Sequence, residues 1–286
     1  MGVRTRLLLP LLALALGATA CGDDAPAADG RVAVSAAFYP YAFLVERIGG
    51  DAVTLSTLTP PGAEPHDLEL TARQTAALGE TDLVVYARGF QPAVDEAVDA
   101  QAKEAALDVN ALVKLRDADP HLWLDPLLYA DVAQSIALRL AELDDENAAS
   151  YAQRAEALTA ELTALDDELA AGLRTCQRRE VVTSHDAFGY LTERYGLEQL
   201  AVTGITPEEE PTPGRLAEVA RLAEQRGVTT VFFEELLSPR TAESLAREIG
   251  ASVEVLDPLE GPPDGGDYLT AMRSNLAALR AALGCT

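Results

Sequence analysis

From Asn147 to Leu173 the residues Tyr151, Ala155, Leu158, Leu162, Leu165, Leu169 and Leu173 recur at spacings of four and three. That period keeps them on one face of a single helix. Asp144, Asp145 and Glu146 precede the stretch and Arg174 follows it, each sign at the end where the backbone dipole favours it. Such a helix would run about 40 Å, more than one small domain needs. A coiled-coil dimer is the other use of such a stretch, but it has too few heptads and an Ala/Asp-rich seam. We read it as a strut between two lobes of a monomer.

On both sides of the strut, strand and helix patterns alternate. Residues 32–38, 53–58 and 83–86 read as strands. Tyr41–Gly49, Thr71–Leu78, Val94–Gln101 and Pro126–Leu143 read as helices. After the strut, strands are expected at 180–183, 200–203, 228–233 and 253–256, and helices at 187–195, 213–226, 239–249 and 268–283. This alternation implies βαβ units on mainly parallel sheets. The fold class expected is therefore α/β: two lobes joined by a long rigid helix, with a cleft between them. The divisions are 1–20 (leader), 21–30 (tether), 31–143 (first lobe), 144–174 (linking helix) and 175–286 (second lobe).

Acidic residues outnumber Lys and Arg by 46 to 22, for a formal charge of −24. Nucleic acid is excluded as a partner, because its phosphates require basic clusters. Electrostatic attachment to anionic lipid is excluded on the same ground. A cationic partner suits the balance.

The first twenty residues have the character of a targeting segment. Arg4 and Arg6 form a positive n-region, and Leu7–Leu16 an apolar run too short to span a bilayer. Ala18-Thr19-Ala20-Cys21 follows, which resembles a bacterial lipobox, although Ala18 stands where Leu is usual. The resemblance implies cleavage before Cys21 and lipid modification of its thiol, so that an acyl anchor holds the chain to the bilayer. Ordinary cleavage near Ala20 is the alternative. With Cys21 lipidated, Cys176 and Cys285 remain, and an exported protein with an even pair is expected to bridge them. Two unrelated thiols are the other possibility.

The chain has only three histidines, each at a loop edge with a carboxylate within four residues. His66 lies between a strand and a helix, in Glu64-Pro65-His66-Asp67. His121 lies ahead of a helix, in Asp119-Pro120-His121-Leu122-Trp123-Leu124-Asp125. His185 lies at a strand's C-terminal end, in Ser184-His185-Asp186. That edge of an α/β sheet is where ligands bind, and a neighbouring carboxylate can fix an imidazole's tautomer. No two of the three have local metal-motif spacing, so only the fold could assemble a shared site; isolated structural histidines are the alternative.

Pro65-His66-Asp67, the block from Pro120 to Pro126, and the run from Ser184 to Leu191 resemble three motifs of the zinc/manganese solute-binding proteins of ABC transporters (ZnuA/TroA-like). The run Gly204 to Pro211 is similar to another family signature. So is Leu256-Asp257-Pro258-Leu259, with Tyr268, Met272 and Asn275 behind it. The match covers essentially the whole chain after the leader. It implies two α/β lobes bridged by a long helix, with the metal in the interlobe cleft. It also implies delivery of the ion to a membrane permease and its cytoplasmic ATPase from the extracytoplasmic face, in the periplasm or at the cell surface.

Carried over by motif, His66, His121 and His185 are ligands, and the family's fourth position falls on Asp257. An Asp-Pro pair is also a common turn, and Glu234 and Glu235 are rival carboxylates. Glu208 to Glu210 suits a solvated or loop-ordering run. Three imidazoles with one carboxylate suit tetrahedral Zn²⁺, while a manganese- or iron-binding homologue is the alternative. Many zinc members carry a His/Asp-rich loop before the second histidine motif. Ala111–Asp119 is short and has no histidine, so the resemblance does not extend to loop-assisted capture. A zinc hydrolase would need an open coordination position and a general base, and no His-Glu-x-x-His pair is present. No enzymatic activity is expected. An adhesin-like lipoprotein holding metal for structure is a further alternative.

Overall fold

The computed structural model describes residues 1–2, 30–113, 115–116, 119–207 and 210–286. The expected leader and tether, with the lipid-anchor candidate Cys21, fall almost wholly outside these residues, as do Glu208 and Glu209. Arg31–Thr286 form a single compact unit.

The first sheet is built from β1 (Val32–Ala36), β2 (Val53–Thr57), β3 (Leu83–Tyr86) and β4 (Ala106–Asp108), in the order β2-β1-β3-β4. The second, from β5 (Glu180–Thr183), β6 (Glu198–Ala201), β7 (Thr230–Phe233) and β8 (Ser252–Val255), has the corresponding order β6-β5-β7-β8. Every strand pairing is parallel. All four residues of central β3 are buried, as expected of a sheet covered on both faces.

Helices α1 (Tyr39–Gly49), α2 (Ala72–Leu78), α3 (Pro92–Gln101) and α4 (Pro126–Leu143) accompany the first sheet. The linking helix is α5 (Ala148–Leu173), whose buried residues are the seven that set its period. It folds back along α4 after a single 3-10 turn at Asp145–Asn147. Asp144 organises that corner by accepting hydrogen bonds from the Asn147 amide, the Asn147 side chain and the Tyr151 hydroxyl. The remaining helices are α6 (Gly189–Arg194), α7 (Pro213–Gln225), α8 (Arg240–Ile249) and α9 (Tyr268–Leu283).

Because α5 packs on α1 and α4 and also on α9, the main core runs through both lobes. A smaller apolar cluster, including Val182, Val219, Val231 and Leu245, lies between the second sheet and α7 and α8. Cys176 and Cys285 form a disulfide, joining the segment after α5 to the segment after α9. Among the described residues, no helix is long and apolar enough to cross a membrane.

Strand β1 ends two residues before the expected 38 and β7 begins two residues after the expected 228; β4 and β6 differ for reasons of their own. β4 is only three residues long, too short to show an alternating pattern. β6 begins two residues early because Glu198 and Gln199 belong to an edge strand, where polar side chains reach solvent.

Candidate metal centre

Loops at the carboxyl ends of strands from both sheets supply the site. His66 follows β2, His121 follows β4, His185 follows β5, and Glu260 follows β8. In sheets of this order the crevice at the carboxyl edge is where ligands collect. The aromatic rings of Phe38, Phe90 and Trp123 fill the space beneath the first two histidines. Phe90 lies 4.5 Å from the His66 ring and Trp123 lies 5.2 Å from the His121 ring, centroid to centroid.

One potential ligand atom from each of His66, His121, His185 and Glu260 lies within 4.8 Å of all the others. Glu260 Oε1 is 3.2 Å from His66 Nε2, 3.2 Å from His121 Nε2 and 3.7 Å from His185 Nε2. The Nε2 atoms of His121 and His185 are 3.4 Å apart. A tetrahedral zinc ion with bonds of about 2.0–2.1 Å would set its ligand atoms about 3.3–3.4 Å from one another. Four of the distances, 3.2 to 3.7 Å, lie close to that spacing, and three imidazoles with one carboxylate suit Zn²⁺ with all four positions filled by the protein.

Carboxylates stand behind two of the rings, and Asp119 fixes that of His121. Asp119 Oδ1 accepts from both the backbone N–H and Nδ1–H of His121, at 3.0 and 2.7 Å. This tautomer leaves the His121 Nε2 lone pair for a metal. Glu234 Oε1 accepts from the His185 amide at 3.3 Å, while its Oε2 stands 2.6 Å from His185 Nδ1 at an angle outside the usual hydrogen-bond range. Glu234, considered as a rival ligand, thus lies behind His185, and Glu235 is exposed. His66 is the only one of the four residues not fully buried. It also lines a surface cavity of about 610 Å³ with Asp67, Glu69 and Glu96.

Asp257 is the expectation that needs correcting. The structure places its carboxylate outside the cluster, and Glu260, three residues later, stands there instead. Asp257 Oδ1 accepts from the Leu259 amide at 2.8 Å, closing a local turn of the kind Asp-Pro sequences favour. Asn275 brackets its backbone, accepting from the Asp257 N–H and donating to the Asp257 carbonyl. Leu259 then adopts φ 61°, the only non-glycine with positive φ among the described residues. Such a conformation costs on the order of 1–3 kcal/mol and persists only where its surroundings enforce it. Here it turns the chain and delivers Glu260 inward. No sequence signal separated the two acids except the turn propensity of Asp257-Pro258.

The electrostatics divide the acids in the same way. Burial pushes the Glu260 carboxyl up, but hydrogen bonds to His121 and His66 and the nearby imidazole charges outweigh it. The result lies well below the usual carboxylate range. Burial raises Asp257 to about 6, with the Leu259 N–H opposing and the charges of Glu235, Glu260 and Glu234 adding to the rise. Glu260 is the carboxylate held ready as an anion.

The family described as ZnuA, zinc-uptake complex component A, periplasmic, matches residues 34–282. The high-affinity zinc uptake system protein ZnuA of Bacillus subtilis is 30% identical over 300 residues, covering 96% of this chain and 94% of that protein. The zinc-binding lipoprotein AdcA of Streptococcus pneumoniae is 29% identical over 308 residues, and this chain spans 60% of its length. Among solved structures, the laminin-binding protein of Streptococcus agalactiae, a bifunctional protein with adhesin and metal-transporting activity, superposes with a TM-score of 0.83 at 32% identity. That match covers 88% of this chain and 99% of the other.

Proposed function

The chain belongs to the ZnuA family of zinc-uptake components, and on that footing we propose that His66, His121, His185 and Glu260 capture Zn²⁺ outside the cytoplasm for an ABC importer. It is a solute-binding protein and not an enzyme. The observation that supports this reading is the convergence of three imidazoles and one carboxylate, one potential ligand atom from each lying within 4.8 Å of all the others. A shell closed by four protein groups holds an ion without activating water.

In this proposal Zn²⁺ replaces a proton shared within the cluster and bridges the two lobes. Cys21 carries the lipid anchor, residues 21–30 are the tether, and 31–143, 144–174 and 175–286 are the lobes and their linker. The loaded protein docks on the membrane permease, whose ATPase drives import. Elemental analysis of the purified protein tests the binding step. One equivalent of zinc is expected, lost in His185→Ala. Absence of zinc from the unaltered protein after loading and gel filtration would overturn the proposal.

A further inference from the structure

Trp123 joins the two halves of the metal site. It lies in the single 3-10 turn Leu122–Leu124, two residues after His121, and its side chain is fully buried. Its indole N–H crosses to the second lobe and donates to the Pro258 carbonyl at 2.7 Å. Pro258 is two residues before Glu260, next to the left-handed Leu259. A second bond leaves the same residue: the Tyr268 hydroxyl, from α9, donates to the Trp123 carbonyl. The indole ring is held edge-on by Phe38 and Phe90 and lies against the His121 imidazole.

We propose that Trp123 is a positioning residue for zinc binding, its indole N–H fixing the Glu260 loop against the His121 loop. This inference rests on the zinc-binding proposal and deepens it. Leu259 holds an unfavourable backbone conformation, so the loop needs restraint from both sides to keep Glu260 facing inward. Asp257 and Asn275 supply that restraint from within the second lobe. The indole supplies it from the first lobe, where His66 and His121, each 3.2 Å from Glu260 Oε1, also reside. Losing the N–H would leave the Pro258 carbonyl buried without its donor, which favours loop conformations that carry Glu260 away from the histidines. The bond to Tyr268 uses the Trp123 carbonyl and does not touch that loop, so it provides an internal comparison.

The test is a double-mutant cycle read by Zn²⁺ competition with a chelator, using Trp123→Phe and Glu260→Gln singly and together. Trp123→Phe keeps an aromatic ring and the backbone carbonyl but removes the N–H. It should weaken zinc binding about tenfold, chiefly through faster release, and should have little further effect once Glu260→Gln is present. Tyr268→Phe should lower thermal stability with zinc affinity unchanged. A Trp123→Phe protein that binds zinc like the unaltered chain would overturn the proposal. So would an equal loss with and without Glu260, which would mark a general packing defect. If the unaltered protein binds no zinc, the functional proposal itself fails, an outcome distinct from both.

Discussion

His121 Nε2 and His185 Nε2 stand 3.4 Å apart although 64 residues separate them in sequence and they follow strands of different sheets. Neither lobe holds a complete metal shell. An ion bound between these nitrogens is shared by both lobes, so binding is coupled to how the lobes meet.

Glu260 and Asp257 should separate in mutagenesis. Glu260→Gln keeps the shape of the side chain but removes the anion from the shell, and zinc affinity should fall by about a hundredfold or more, consistent with losing a charged ligand. Asp257→Asn keeps an oxygen that can accept from Leu259, and its effect should stay within about tenfold. Chelator competition measures both. A larger loss for Asp257→Asn than for Glu260→Gln would reverse the ligand assignment.

The pH dependence has a defined sign. Burial alone would push the His121 imidazole down, but the hydrogen bonds to Asp119 and Glu260 outweigh it and hold it up at about 9. An unfolded histidine titrates near 6.5. A group raised on folding stabilises the metal-free protein fully below about pH 6.5, and that contribution is lost as pH rises through about 9. Zinc must displace the proton, so binding should tighten from pH 7 to 9 and release protons at pH 7. Calorimetry in buffers of different ionisation enthalpy reads that release. A proton count of zero would contradict the protonated metal-free cluster.

The disulfide should support stability without serving the metal. Cys176 and Cys285 are 109 residues apart and clamp the ends of α5 and α9. Opening so large a loop should cost up to about 4.7 kcal/mol in the chain-entropy account. For a chain of this size that is a fall of up to about 9–19 °C in Tm, since each kcal/mol shifts Tm by roughly 2–4 °C. The Cys176→Ser/Cys285→Ser protein should still bind zinc with unchanged affinity below its melting temperature. Thermal denaturation with and without zinc measures both effects.

Metal release should involve small adjustments and not wide opening. The core is continuous through both lobes along α5, and Trp123 and Tyr268 tie them together beside the site. X-ray scattering profiles with and without Zn²⁺ should nearly superimpose. A clear contraction on loading would contradict this.

Most of the architecture was legible because periodicity reports burial. The residues from Tyr151 to Leu173 that recur at four and three are the buried face of α5, and the βα alternation became two parallel sheets. The histidines stood out because the chain has only three, each where a strand or loop meets a helix. Glu260 was not legible. Asp257 and Glu260 lie in one loop after β8, and which of them faces the histidines depends on the positive φ of Leu259. A leucine gives no warning of that conformation, which is imposed by Asp257, Asn275 and Trp123 from three separate parts of the chain. β4 was missed because three residues carry no period.

Zinc K-edge X-ray absorption on the stoichiometrically loaded protein reads the coordination shell of the bound ion itself. The spectrum should show four-coordinate zinc with three imidazole nitrogens and one carboxylate oxygen at about 2.0–2.1 Å. In Glu260→Gln the imidazole scattering should persist while the carboxylate contribution is lost. A six-coordinate shell of oxygen donors, or a spectrum unchanged by Glu260→Gln, would contradict it.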